Sequence, residues 1–186
     1  MKRVPFFFSL MAGSRVGARV NHPYFMQAAL AEARKASCAG DVPVGAVVVV
    51  DEEIVGSGYN QRQALGDPTA HAEVLALRQA ARQMGTWYLT AAVLYVTLEP
   101  CIMCLGAAVL SRIQRLVFGC HDPKAGACGS QFDILGSQRL NHTFPVVSGV
   151  CEAECSALLS AFFRNLRREK TNDEQSRRDG RAVEGG

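Results

Sequence analysis

The chain has 186 residues, 48% of them hydrophobic and 20% charged, with a formal net charge of +3. That is the length of one ordinary domain with or without tails, able to bury roughly 70% of its unfolded surface without disulfide staples, and the composition excludes a wholly disordered chain. No apolar run approaches the ~18 residues of a membrane-spanning helix.

The charge is unevenly placed. Residues 1–20 hold Lys2, Arg3, Arg15 and Arg19 and no acid, while residues 167–186 hold six bases and five acids. The body between them is slightly acidic, so any nucleic-acid binding must use a local patch. Seven cysteines, an odd count without the spacing of a secreted scaffold, point to a reducing, cytoplasmic setting. Met1-Lys2-Arg3 before Phe6-Phe7-Phe8 faintly resembles a signal peptide, but the apolar part is short and starts at Pro5. Residues 1–20 are read instead as a disordered extension, with Met11 a candidate translation start.

Residues 21–39 carry Phe25, Ala28, Ala29, Ala33 and Ala36 at helical spacing, with Asn21 as a possible cap and Gly40 as a stop. Residues 44–50 are a nearly unbroken β-branched run, as in a strand covered on both faces, and 54–58 return after Asp51-Glu52-Glu53 as an antiparallel partner. A polar loop is expected over 60–69 and a helix over 71–84. Then come a strand over 93–97, a helix over 101–111 and a strand over 115–119. Strand, helix, strand in that order implies a crossover and parallel pairing. A short helix is expected at 132–135, a fifth strand at 146–150, and a last helix over 151–168 with Leu158, Leu159, Phe162, Phe163 and Leu166 along it. Residues 169–186 have almost no apolar content and are expected to be a disordered polar tail. The reading is a three-layer α/β domain over 21–168 with a mixed five-stranded sheet. No Gly-rich phosphate loop follows any strand.

Two segments carry chemistry: Pro68-Thr69-Ala70-His71-Ala72-Glu73 and Glu99-Pro100-Cys101-Ile102-Met103-Cys104. Cys101 and Cys104, at i and i+3 of a helix start, point the same way, and the helix N-terminus favours thiolates. Two thiolates and one neutral imidazole balance the charge of Zn²⁺ and leave a fourth tetrahedral position open, which is the catalytic form of a zinc site. Helical side chains lean toward the N-terminus, so Glu73 can reach the same point without being a ligand. Alone, C-x-x-C also fits a structural zinc site or a redox pair, and H-x-E occurs on many helices. Together the two segments match the signature of the zinc-dependent nucleobase deaminases.

Wider stretches narrow the match. Residues 42–47, 67–73 and 94–104, with Ser111-Arg112-Ile113, Phe118-Gly119, Lys124-x-Gly126 and Phe162-Phe163-Arg164, resemble the bacterial tRNA-specific adenosine deaminases over about 22–168. That resemblance implies a homodimeric cytidine-deaminase-like α/β/α fold with one zinc per subunit. It implies conversion of adenosine to inosine at the wobble position of an arginine tRNA anticodon. Glu73 is then the proton shuttle and His71, Cys101 and Cys104 the zinc ligands. Asn60 would contact base and sugar, Asp122 and Lys124 would line the groove for the anticodon stem-loop, and Phe163 and Arg164 would flank it. Cys120, His121 and Pro123 depart from the family pattern in that loop.

Other readings stay open here: a deaminase of free cytosine, guanine or a nucleoside, and a catalytically silent RNA-binding subunit, against which the intact Glu73 speaks. Cys38, Cys120, Cys128, Cys151 and Cys155 read as free thiols rather than a second metal site. His22 and His142 are not expected to be ligands. For His121, and for Arg164, Arg167, Arg168 and Lys170, simple solvation and phosphate contact are both open.

Overall fold

The computed structural model describes residues 21–136 and 139–183. The expected extension, 1–20, lies outside them. Helix α1 (His22–Cys38) begins where the Asn21 side chain accepts a hydrogen bond from the Tyr24 N–H, with Pro23 in the first turn. Gly40 follows it at a φ of +76°, the left-handed conformation a glycine adopts without strain. Strands β1 (Gly45–Val50) and β2 (Glu53–Tyr59) form the expected antiparallel hairpin, turned at Asp51 and Glu52, both at positive φ. After β2 comes a single-turn helix, α2 (Arg62–Leu65), inside the stretch expected as a loop. Helix α3 (Ala72–Met84), strand β3 (Val93–Leu98), helix α4 (Ile102–Leu110), strand β4 (Arg115–Cys120), strand β5 (Val146–Val147) and helix α5 (Glu152–Val183) complete the order.

The sheet runs β2-β1-β3-β4-β5, with β1 antiparallel to β2 and β3, and β3-β4-β5 parallel. Side chains alternate across it, so each strand feeds two cores. Val48, Leu94, Val96, Leu116 and Phe118 pack with α3 and α4 residues on one face. Val47, Val49, Tyr95 and Val117 pack with α1 and with Cys155 of α5 on the other. This is the expected three-layer α/β/α arrangement. Glycines allow the closest approaches. A Cβ on Gly58 would lie 2.6 Å from the Ala72 carbonyl oxygen, and one on Gly45 would lie 2.1 Å from that of Ala29. The first of these contacts presses the start of α3 against β2 and so fixes where His71 and Glu73 stand.

Three sequence expectations are corrected. The fifth strand has two residues rather than five. Gly149, at a φ of +79°, bends the chain out of the ladder, although the Gly149 and Val150 N–H groups still donate to Gly119 and Phe118 carbonyls. No helix forms over 132–135. Phe132 N–H donates to the Gly126 carbonyl and Ile134 N–H to that of Ala127, so the stretch is tied to the preceding loop instead of to itself. The polar tail expected to be disordered after Arg168 is helical as far as Val183. Glu, Lys, Gln and Arg are good helix formers, and a run of them extends an established helix without burying apolar surface.

Candidate active site

Two helix N-termini converge beyond the carboxyl end of β3. His71 is the N-cap of α3 and Cys101 the N-cap of α4, both with extended backbone, and neither uses its side chain as a cap. The backbone carbonyls do that structural work: Leu75 N–H donates to His71 O at 3.0 Å and Leu105 N–H to Cys101 O at 2.9 Å. The side chains are thereby left to face each other. Cys101 Sγ lies 3.7 Å from Cys104 Sγ, and the two sulfurs stand 3.8 and 3.4 Å from His71 Nδ1.

The spacing tests whether a metal fits. Tetrahedral Zn²⁺, with Zn–S near 2.3 Å and Zn–N near 2.0–2.1 Å, sets its sulfurs about 3.8 Å apart and each sulfur about 3.6 Å from the nitrogen. The donor triangle matches those separations, and it is the one group of its kind among the described residues. Sharing a hydrogen bond with Cys104 draws the Cys101 thiol down to about 3, and the same contact, with burial, pushes Cys104 well above its ordinary value. Metal binding at such a pair of thiols releases their protons, because the ligands are thiolates.

Glu73, in the first turn of α3, is buried and within hydrogen-bond reach of Cys104. Burial lifts its carboxyl above the ordinary range. Asn60, at the end of β2, faces the same space, a cavity of about 200 Å³ that His71, Glu73, Cys101 and Asp122 also line. A second cavity of about 670 Å³ adjoins it and shares Val42, Leu98 and Asp122 with it. Lys124, Phe163, Arg164 and Arg167 line this outer cavity, together with His121. Phe163 is 41% exposed although aromatic. The structure therefore brings eight of the nine sequence-predicted site residues to the inner pocket or to the groove beside it, and the ninth, Cys104, is buried directly behind the pocket wall against His71 and Cys101. A separate surface hollow along α5, lined by Arg164, Arg167 and Arg168, extends the basic surface away from the pocket.

The family model for the cytidine and deoxycytidylate deaminase zinc-binding region matches residues 19–120. The chain belongs to that family. The tRNA-specific adenosine deaminase of Bacillus subtilis is 50% identical over 146 residues, 78% of this chain and 91% of the relative. A solved structure described in work on A-to-I editing by tRNA:A34 deaminases at the wobble position of transfer RNA superposes with a TM-score of 0.71 at 42% identity, covering 73% of this chain and 99% of that one. Guanine deaminase from Bacillus subtilis superposes less closely, with a TM-score of 0.54 at 34% identity over 67% of this chain and 83% of its own. As in the family, the site is a zinc site, and its donor geometry fits that ion.

Sequence reasoning missed two residues of this deaminase site. In the sequence Glu99 stands out only as the neighbour of Pro100. It is a fully buried carboxylate that accepts from the N–H groups of Asp122, Cys128 and Ser130 and from the Ser130 hydroxyl. Asp41, 2% exposed, accepts from Asn60. Only a buried acid in each motif's flank could have flagged them.

The remaining histidines and cysteines have other partners. His22 pairs with the Tyr95 hydroxyl at 2.9 Å and His142 with the Ile113 carbonyl at 2.9 Å. His121 meets Glu99 at 3.1 Å, with its side chain half exposed in the groove. No two of the seven cysteines form a disulfide, and of the five outside the zinc site Cys38 is exposed and Cys120 and Cys155 are buried. Burial pushes Cys128 and Cys155 up to about 12, which makes them poor nucleophiles.

Proposed function

We propose that this protein deaminates adenosine to inosine at the wobble position of a tRNA anticodon, with arginine tRNA as its substrate. The observation that carries this reading is the continuity of the two cavities. A pocket sized for one base, lined by His71, Cys101 and Glu73 with Cys104 buried behind them, adjoins a groove that presents Lys124, Phe163 and Arg164. A free base needs only the pocket. An anticodon loop presents splayed bases and phosphates, so it can place one base in the pocket and lay its neighbours along the groove at little unstacking cost.

His71, Cys101 and Cys104 hold the zinc, which when bound supplies Lewis-acid activation of water at neutral pH. Glu73 takes the proton of the attacking water and delivers it to N1 of adenine as the new C6–O bond forms. It then takes the remaining proton from the new C6 hydroxyl and passes it to the departing amino group, the C6–N bond breaks as the C6 carbonyl forms, and inosine and ammonia remain. A raised carboxyl suits this shuttle, which must both accept and donate near neutral pH. Asn60 fixes the nucleoside, and Asp122 shapes the rim by accepting from the Lys124 and Ala125 N–H groups. Lys124 and Arg164 contact phosphates, and Phe163 offers a face for stacking.

A second copy of the chain is the expected partner. Helix α4, which carries the cysteines, leaves Ile102, Met103 and Leu110 exposed as an apolar face. No helix among the described residues is long and apolar enough to cross a membrane. Seven cysteines with no disulfide among them fit the reducing cytoplasm, where tRNA is processed. Incubation with an unmodified arginine tRNA transcript, followed by nucleoside analysis, should show one inosine per tRNA at the wobble position. Inosine elsewhere, or none, would overturn the assignment.

A further inference from the structure

We infer that Asp41 is a positioning residue for the reaction: it turns the Asn60 amide so that an acceptor oxygen, and not an amino group, faces the substrate. Asp41 lies between α1 and β1, with no side chain in the pocket, and is 2% exposed. Every group that contacts its carboxyl is an N–H. Val42 N donates to Oδ1 at 3.2 Å, Gln63 N to Oδ2 at 2.8 Å, and Asn60 Nδ2 to Oδ1 at 2.9 Å. The Val42 carbonyl accepts from the same Asn60 Nδ2 at 3.3 Å. Both hydrogens of the Asn60 amide are thus taken by two acceptors that cannot donate to it. The reverse rotamer would set the amide oxygen against a carboxyl oxygen and a carbonyl oxygen, which leaves buried acceptors apposed and the amide hydrogens unpaired.

The consequence lies in the pocket. Asn60 Oδ1 has no protein partner among the described residues, and Asn60 lines the cavity that holds His71 and Glu73. An oxygen in that place accepts from a hydrogen-bond donor on the nucleoside, either a ribose hydroxyl or the amino group that departs. Asp41 also ties in the start of α2 through Gln63, so the segment between β2 and α3 is registered on the same carboxyl. This inference deepens the deaminase reading and rests on it.

The test is a four-protein cycle on the zinc-loaded full chain: wild type, Asp41→Asn, Asn60→Asp, and the double variant. Asp41→Asn lets the Asn60 amide rotate, and kcat/KM on the anticodon stem-loop should fall about 10- to 100-fold, the worth of one hydrogen bond to a charged group. Asn60→Asp apposes two carboxyls and should fall at least as far. The double variant restores one N–H donor facing one carboxylate, now with a carboxylate oxygen as the acceptor in the pocket. It should recover about 10-fold or more over either single variant, the signature of a direct pair. A stem-loop carrying 2′-deoxyribose at the reacting nucleotide separates the donors. The Asp41→Asn loss shrinks on it when the 2′-hydroxyl is the donor and persists when another donor is used. Hydrogen exchange of the Asn60 side-chain amide gives a readout independent of turnover, slow in wild type and fast in Asp41→Asn. Normal kcat/KM and slow exchange in Asp41→Asn, or a double variant no better than the singles, would overturn the inference. Failure of the wild type on the stem-loop would instead count against the tRNA reading, and the exchange measurement would still decide the role of Asp41.

Discussion

The Glu99 carboxylate accepts a 2.8 Å hydrogen bond from the backbone N–H of Cys128, 29 residues further along the chain. Pro100 separates Glu99 from Cys101, and the loop holding Cys128 pairs with this stretch through the Ala127 N–H, which donates to the Pro100 carbonyl, and a bridge between Gly126 and Cys101. Burial pushes the Glu99 carboxyl up, but the hydrogen bonds from Ser130, Cys128 and Asp122 outweigh that and hold it below its ordinary value. The loop that walls both cavities is thus pinned to the residue that leads into α4.

Removing that pin should loosen the loop. Glu99→Ala leaves three backbone N–H groups without their acceptor, and the cost should be about 3–5 kcal/mol, the range for disrupting a buried charged hydrogen-bond network. Urea unfolding checks it, with a lower midpoint at unchanged slope. An unchanged midpoint would mean that the loop is held by other contacts.

Zinc content tests the donor set. The purified chain should carry about one zinc, and a Cys101→Ser, Cys104→Ser double variant should carry almost none, because it lacks both thiolates. Chelation should abolish activity and added zinc restore it. Stoichiometric zinc in the double variant would place the metal elsewhere.

Glu73→Gln keeps size and hydrogen bonding but cannot take up a proton. A positioned acid–base group is worth ~10²–10⁴-fold, and this one serves several steps, so kcat should fall by the upper end of that range or more. Zinc content should stay normal, since Glu73 is outside the donor group. Near-native turnover, or loss of zinc, would contradict its role as shuttle.

Acid should weaken the fold through His22. Burial, and then the Arg115 charge, hold its pKa below the ordinary 6.5. As pH falls through 6.5 the unfolded chain takes up a proton that the folded chain refuses, so this contribution is whole above 6.5 and is lost below it. The drop in melting temperature between about pH 7.5 and about pH 5.5 should be smaller in His22→Gln than in wild type. Equal drops would assign the acid sensitivity to other groups.

What was legible in the sequence is what repeats or is rare. The nearly unbroken β-branched run at 44–50 reads as a doubly covered strand, and the His71 and Cys101–Cys104 spacings placed their side chains at two helix starts. The parts that escaped depend on contacts between distant segments. Asp41 and Glu99 look like surface acids in the sequence and become buried acceptors only when residues 60–63 and 122–130 fold over them. The break in β5 rests on one glycine. The helix beyond Arg168 has no apolar stripe, and it forms because its residues extend a helix that Leu158 and Leu159 have already docked.

The most direct measurement is kcat/KM on an arginine tRNA anticodon stem-loop beside free adenosine, cytidine, cytosine and guanine, for wild type and Arg164→Ala. The stem-loop should be preferred by far, with little or no turnover of the free compounds, because binding along the groove contributes to the transition state. Arg164→Ala should lower stem-loop turnover by about 10- to 100-fold, one charged contact. Faster turnover of a free base or nucleoside, with no effect of Arg164→Ala, would contradict the account and make this a small-molecule deaminase.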